Sequence, residues 1–283
     1  MATKVLALTL LTMTAFAGNS LLCRLALKDS GIDAASFTSV RIVSGGLALW
    51  LIVRIRGGKA VREGNWPSAL ALFAYAAAFS YAYISLTAGT GALLLFGAVQ
   101  ATMIGYAIWA GERLRPPQVA GITLALSGLL GLLLPGLSAP PLLGAALMLA
   151  AGIAWGIYSL RGRGAGDPIR VTAGNFMRSV PFAAALSLAT ISSASIDGWG
   201  FLYAVISGAL ASGVGYAIWY SALPALSAST AATVQLVVPV LAALGGILFL
   251  GEQLTMRFVL ASIAILGGIA LVILVRESPK PEA

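Results

Sequence analysis

The chain has 283 residues, of which 9% are charged and 59% fall in the apolar set AVILMFWYC, giving a mean hydropathy of +0.97. A soluble domain carries about 25% charged residues, so this composition excludes a soluble fold, whose surface these few charges would leave uncovered. The excess of 17 Lys+Arg over 9 Asp+Glu reads as the positive-inside bias of a membrane protein and not as a nucleic-acid surface.

A spanning helix needs about 20 mostly apolar residues. Ten such stretches follow one another, at approximately 5–23, 35–53, 68–86, 90–109, 118–134, 142–160, 171–190, 199–220, 229–249 and 257–275. Their continuous hydrophobicity predicts helices rather than barrel strands, which would alternate over about ten residues. The expected fold is therefore an all-α integral membrane protein of ten transmembrane helices.

The first stretch ends its early part in Ala15-Phe16-Ala17 before Gly18, the form of a signal-peptide cleavage site. Only Lys4 supplies an n-region charge, and removing the stretch would break the repeat described below, so it reads as the first helix, with Asn19 as its polar residue at depth. The second stretch carries Arg41. Gly57-Gly58 lies in the charged loop that follows, and the third stretch sets Tyr75, Phe79 and Tyr83 on one face at i, i+4, i+8. Gln100 lies within the fourth stretch, which ends in Tyr106 and Trp109. Pro116-Pro117 opens the fifth, and Pro135-Gly136 with Pro140-Pro141 marks the midpoint of the chain. The sixth holds Trp155, Tyr158 and Ser159, and the seventh Arg178. Tyr216, Trp219 and Tyr220 share a face of the eighth, and the ninth contains Thr233, Gln235 and Pro239.

With the N-terminus inside, Lys4, Arg54, Arg56, Lys59, Arg62, Arg113, Arg115, Arg161, Arg163, Arg170, Arg276 and Lys280 fall on the inner side. Arg24, Lys28 and Arg257 fall outside. That split predicts both termini in the cytoplasm.

The two halves repeat. At an offset of 140, residues 86–134 align without a gap on 226–274, and Gly111-Glu112 with Leu114 matches Gly251-Glu252 with Leu254. Arg41 matches Arg178 and Gly18 matches Gly156. Five spans is an odd number, so the second copy has the opposite orientation, the inverted-topology repeat that underlies alternating access. The predicted units are 1–137 and 138–276, each a five-helix repeat, with a short cytoplasmic tail at 277–283.

Five-plus-five spans with Gly-Glu-Arg-Leu at 111–114 and Gly-Glu-Gln-Leu at 251–254 resemble the drug/metabolite transporter superfamily, EamA type. Ala154-Trp155-Gly156, the arginines of spans 2 and 7, and Tyr216-Ala217-Ile218-Trp219-Tyr220 leading to Pro239 add to the likeness. The segment from Phe16 to Ala26 is most similar to bacterial amino-acid exporters, including those for aromatic amino acids. The resemblance implies an inner-membrane exporter of small metabolites with a central cavity between the two repeats. Where the second half has Pro239 the first has Val99, so a kink is expected only in span 9.

No Asp or Glu lies inside a predicted span, which disfavours proton-coupled export of cationic drugs. With no His, and with Cys23 as the one cysteine, no metal centre, cofactor or catalytic group is expected. Glu112 and Glu252 at helix ends read as capping or interface charges. Arg41 and Arg178 read as structural charges that reach the interface or bond carbonyls of a neighbouring helix. Gly152-x-x-x-Gly156 and Gly208-x-x-x-Ser212 read as close-packing motifs. The expected substrate cavity combines Asn19, Tyr75, Phe79, Tyr83, Gln100, Trp155, Tyr158, Ser159, Tyr216, Trp219, Tyr220 and Gln235. Rings with amides and hydroxyls suit a neutral amino acid, aromatic, apolar or small, moved by facilitated or weakly coupled export from a monomer whose other partners are membrane lipids. Export of drugs or nucleosides, and lipid flipping, are the alternatives.

Overall fold

A computed structural model describes residues 2–57, 63–111, 114–136, 139–162, 166–222, 225–226 and 234–276. Glu112, Thr233 and the tail 277–283 lie outside the described residues, as does the side chain of Tyr220. Among the described residues the structure is helical and contains no strand. The helices are α1 (Ala2–Asp29), α2 (Ala34–Ile55), α3 (Trp66–Tyr83), α4 (Ala88–Trp109), α5 (Pro116–Leu133), α6 (Leu142–Arg161) and α7 (Pro168–Ala189). They continue as α8 (Gly198–Ile206), a π-helical segment (Ser207–Val214), α9 (Gly215–Ala222), α10 (Val237–Leu250) and α11 (Met256–Arg276). Among the described residues seven stretches are long and apolar enough to cross a membrane, one of them Gly198–Trp219, which runs through the π-helical turns without a break. The chain is thus a multi-pass membrane protein. The helices α3 and α7 are less apolar, and α10 is shorter.

Polar residues punctuate these helices where the physics asks for them. The first turn of a helix leaves backbone N–H groups without partners, and several helices begin with a side chain that accepts from them, Thr255 doing so for α11. So do Asp33 for α2, Asn65 for α3, Thr87 for α4, Asp167 for α7 and Asp197 for α8. Gly251 closes α10 at φ 62°, the left-handed conformation in which glycine pays no steric penalty.

Two of these caps also join the halves of the chain. Asp33 accepts from Ser195 N (2.9 Å) while its own N–H donates to Ser195 O (2.9 Å), and Asp197 accepts from Gly31 N (3.0 Å). Partial burial of Asp33 would raise its pKa, but the bonds from Ser36, Ser195 and Ala35 outweigh this and hold the carboxyl below its usual value. A depressed folded pKa contributes stability that is present above the unfolded value and is lost as pH falls through the folded one. The difference in thermal stability between the wild type and Asp33→Asn should therefore hold near neutrality and shrink as pH drops below about 4. A difference that is independent of pH from 7 to 3 contradicts this role.

Packing pairs α5 with α11 and α2 with α7 most simply, each on the other. Helix α6 lies on α3 and α4, while α1 lies on the α8–α9 stretch and on α10. Helix α2 also meets the π-helical segment, α7 meets α3, and α4 meets α10. Two glycines illustrate how closely the helices approach. A Cβ on Gly152 would fall 2.5 Å from Ala98 Cβ and 2.6 Å from Leu95 O, so α6 reaches the backbone of α4. A Cβ on Gly208 would meet Arg41 O and Ser44 Oγ of α2.

Candidate substrate site

Residues from α1, α3, α6, the π-helical segment and α9 converge in the interior. Their aromatic side chains form a continuous chain of ring contacts. Trp155 is its hub, with centroids 4.8 Å from Tyr75, 5.4 Å from Tyr158 and 5.1 Å from Tyr216. Tyr75 continues to Phe79 (5.4 Å) and Phe79 to Tyr83 (4.7 Å). Tyr216 meets Phe16 and Phe176 edge-on, and Phe16 meets Trp219. Offset and edge-to-face pairs of this kind contribute about 0.5–1.5 kcal/mol each beyond the area they bury.

A small cavity opens among Phe16, Asn19, Tyr75, Phe79, Trp155 and Tyr216, closed off by Phe96 and Ala211. Its free volume is about 20 Å³, room for about one water molecule. A solute larger than water enters only if these side chains move aside. Polar groups edge the space: Ser207 Oγ donates to Asn19 Oδ1 at 2.6 Å, and Asn19 Nδ2 reaches the Tyr75 hydroxyl at 3.5 Å.

Arg41 stands behind the Tyr75–Phe79 wall and is 2% exposed. Its Nη2 donates to the Tyr75 hydroxyl at 2.9 Å and its Nε to Ser212 Oγ at 3.4 Å. The guanidinium lies 5.1 Å from the Tyr75 ring centre and 4.8 Å from that of Phe79. Such cation–π contacts contribute about 2 kcal/mol when desolvated. Nη1 has no hydrogen-bond partner among the described residues, and an unbonded buried donor costs about 1–3 kcal/mol. Arg41 thus neither reaches an interface nor bonds carbonyls, as the sequence led one to expect. Arg178 does bond carbonyls, donating from Nη1 to Glu63 O (2.7 Å) and Gly174 O (3.0 Å).

Of the residues expected at the cavity, Asn19, Tyr75, Phe79, Trp155 and Tyr216 line it. Tyr83, Tyr158 and Trp219 belong to the same ring cluster, one contact removed. Tyr83 directs its hydroxyl to Ala88 O, and Ser159 turns its own to Trp155 O one helical turn back. Gln100 is buried on α4 and Gln235 is half-buried ahead of α10, and neither lines the cavity. Pro239 stands in the first turn of α10, and a turn at Leu236 separates that helix from Val234 and Gln235. The expected kink takes the form of a helix start, where proline's missing N–H breaks no bond. The sequence reading missed Phe16, Phe176 and Ala211. Phe16 precedes Asn19 by three residues and so shares its helix face, a signal that was there to be used.

Glu252 lies elsewhere, between α10 and α11. It pairs with Arg24 of α1 (3.3 Å) and accepts from Ala88 N at the start of α4 (2.9 and 3.1 Å to its two oxygens), while Arg24 donates on to Tyr83 O and Ile84 O. The Gly-Glu-x-Leu motif of the second half thus ties three segments together, as a helix-end charge should. A second charged link, Arg170 to Glu63 at 3.0 Å, joins α7 to the segment before α3.

The profile of the EamA-like transporter family matches residues 142–274. An uncharacterized protein of Pseudomonas aeruginosa is 59% identical over 271 residues, covering 95% of this chain and 94% of its own. The threonine/homoserine exporter RhtA of Salmonella typhimurium is 35% identical over 175 residues, and that alignment spans 59% of this chain and 58% of RhtA. A solved crystal structure superposes with a TM-score of 0.65 at 22% identity, over 95% of this chain and 98% of its own, and shares the fold. The chain belongs to the EamA-like transporter family.

Proposed function

We propose that this transporter exports neutral amino acids, aromatic, apolar or small, across the bacterial inner membrane by alternating access. Ten spans in two inverted five-helix units, 1–137 and 138–276, enclose the path, with both termini in the cytoplasm and the chain acting as a monomer. The packing supports the repeat. Exchanging each span of the first half for its counterpart in the second turns the α3–α6 contact into that of α1 with α8–α9, and α4–α6 into α1–α10. The contacts α2–α7, α4–α10 and α5–α11 map onto themselves.

The observation that carries the substrate class is the ring cluster around Trp155 with the Asn19 amide at its edge. It offers contact area to a side chain and hydrogen bonds to a polar head, with no carboxylate to select a cation. Every described Asp or Glu stands at a helix end or between helices. Small-residue specificity has a parallel in the threonine/homoserine exporter among the relatives.

Counterflow in proteoliposomes tests this. Vesicles preloaded with unlabelled phenylalanine, methionine or threonine should accumulate the labelled counterpart without an imposed pH gradient. Trp155→Ala should lower the initial rate by about tenfold or more, because it removes the ring that holds Tyr75, Tyr158 and Tyr216 in register. Failure of every amino acid to exchange overturns the reading.

A further inference from the structure

The geometry points to Arg41 as the anchor for a solute carboxylate, with the Tyr75 hydroxyl holding that position until the solute displaces it. The inference rests on the amino-acid reading above and narrows it: the site selects substrates by their acid group and not by their amine.

Three observations converge. First, Arg41 is a buried guanidinium with no anionic partner. The two ion pairs among the described residues, Arg24–Glu252 and Arg170–Glu63, use other arginines, and no described acid lies within the body of a helix. A charge in the membrane interior is retained against a steep penalty, and it marks function unless a partner explains it. Second, its hydrogen bonding is incomplete. Nη1 has no partner among the described residues, Nε makes one long contact to Ser212, and the single short bond, 2.9 Å, goes to a neutral phenol. A guanidinium is a planar fork built to grip two carboxylate oxygens at once, and here only one arm is well bonded. Third, the phenol it holds belongs to the cavity wall, and the same hydroxyl lies 3.5 Å from the amide of Asn19. Swinging Tyr75 away opens the small cavity and frees the guanidinium in one movement, so a carboxylate entering from the cavity meets Arg41 with Asn19 beside it.

A single fixed cation suits a monocarboxylate. A phosphate dianion would call for a second cation, and the next intramembrane arginine, Arg178, is committed to the carbonyls of Glu63 and Gly174. No described acid faces the site to receive an ammonium. Blocking the amine of the solute should therefore be tolerated, whereas blocking its carboxyl should not.

The test uses the full chain purified in detergent and titrated calorimetrically with three probes: L-leucine, N-acetyl-L-leucine and L-leucine methyl ester. Leucine and its N-acetyl derivative should bind with similar affinity and the ester about tenfold or more weakly, since it lacks the charge that a guanidinium bonds most strongly. In Arg41→Gln the preference for acid over ester should vanish, and in Arg41→Lys it should survive in part, because an ammonium keeps the charge and loses the fork. The wild-type probe series stands even where a variant does not fold. Ester binding equal to that of the free acid overturns the proposal, as does a folded Arg41→Gln protein with the wild-type preference. Preference for the acid without counterflow of any amino acid would sink the proposed export while leaving the carboxylate anchor. Counterflow in which acid and ester compete equally does the reverse.

Discussion

Glu252→Ala is expected to cost about 3 kcal/mol of stability, more than any other loop substitution, because it strands a half-buried cation and uncaps a helix at once. The carboxylate is buried between α1, α4 and α10 and accepts both from Arg24 and from the first N–H of α4. Breaking a buried pair by removing one partner costs about 3–5 kcal/mol. The two carbonyls that Arg24 still reaches, at Tyr83 and Ile84, offset part of that. The lost cap adds about 1 kcal/mol. Glu252→Gln retains an oxygen for Ala88 N and loses only the charge, so it should fall between wild type and alanine. Thermal unfolding of the purified protein in detergent checks the order, and an unchanged midpoint for Glu252→Ala would refute the clasp.

Gly152→Val tests the close contact between α6 and α4. Its new Cβ would collide with Ala98 Cβ and with the carbonyl of Leu95, and the latter is backbone that cannot rotate away. Overpacking a buried contact costs about 1–3 kcal/mol where side chains yield, and here α6 must instead move off α4. Trp155 sits one residue before Gly156, whose own Cβ would meet Thr102, so the displacement carries the ring hub with it. Unfolding at a lower temperature together with a red-shifted Trp emission is the expected pair of results. A valine variant with the wild-type midpoint and spectrum would mean that the interface has slack.

Much of the fold was legible. Apolar runs bounded by Pro-Gly pairs and charge clusters became helices close to the expected limits, because in a bilayer the backbone has few other ways to satisfy its hydrogen bonds. Three of the expected site residues, Tyr75, Trp155 and Tyr216, line the cavity for a related reason. Large aromatics at helical spacing with a polar tip are seldom left facing lipid at mid-depth when an interior is available. Arg41 escaped because counting residues from the end of a span gives its depth but not what lies on the facing helix. Ser212, which it touches, comes from a stretch 171 positions away. Gln100 and Ser159, chosen by residue type alone, stand outside the cavity. A hydroxyl can turn back to its own helix, as Ser159 does, and then has no proton left to donate to a neighbour.

The wide turns at Ser207–Val214 bear on the proposed repeat. Between Arg41 and Leu86 of the first half and their matches Arg178 and Leu226, the offset grows from 137 to 140, so the second copy is three residues longer over that interval. Each π-type turn holds one residue more than an α turn. Part of the length difference between the two halves therefore fits inside a helix that remains continuous through these turns, where a comparison of loops alone would never locate it.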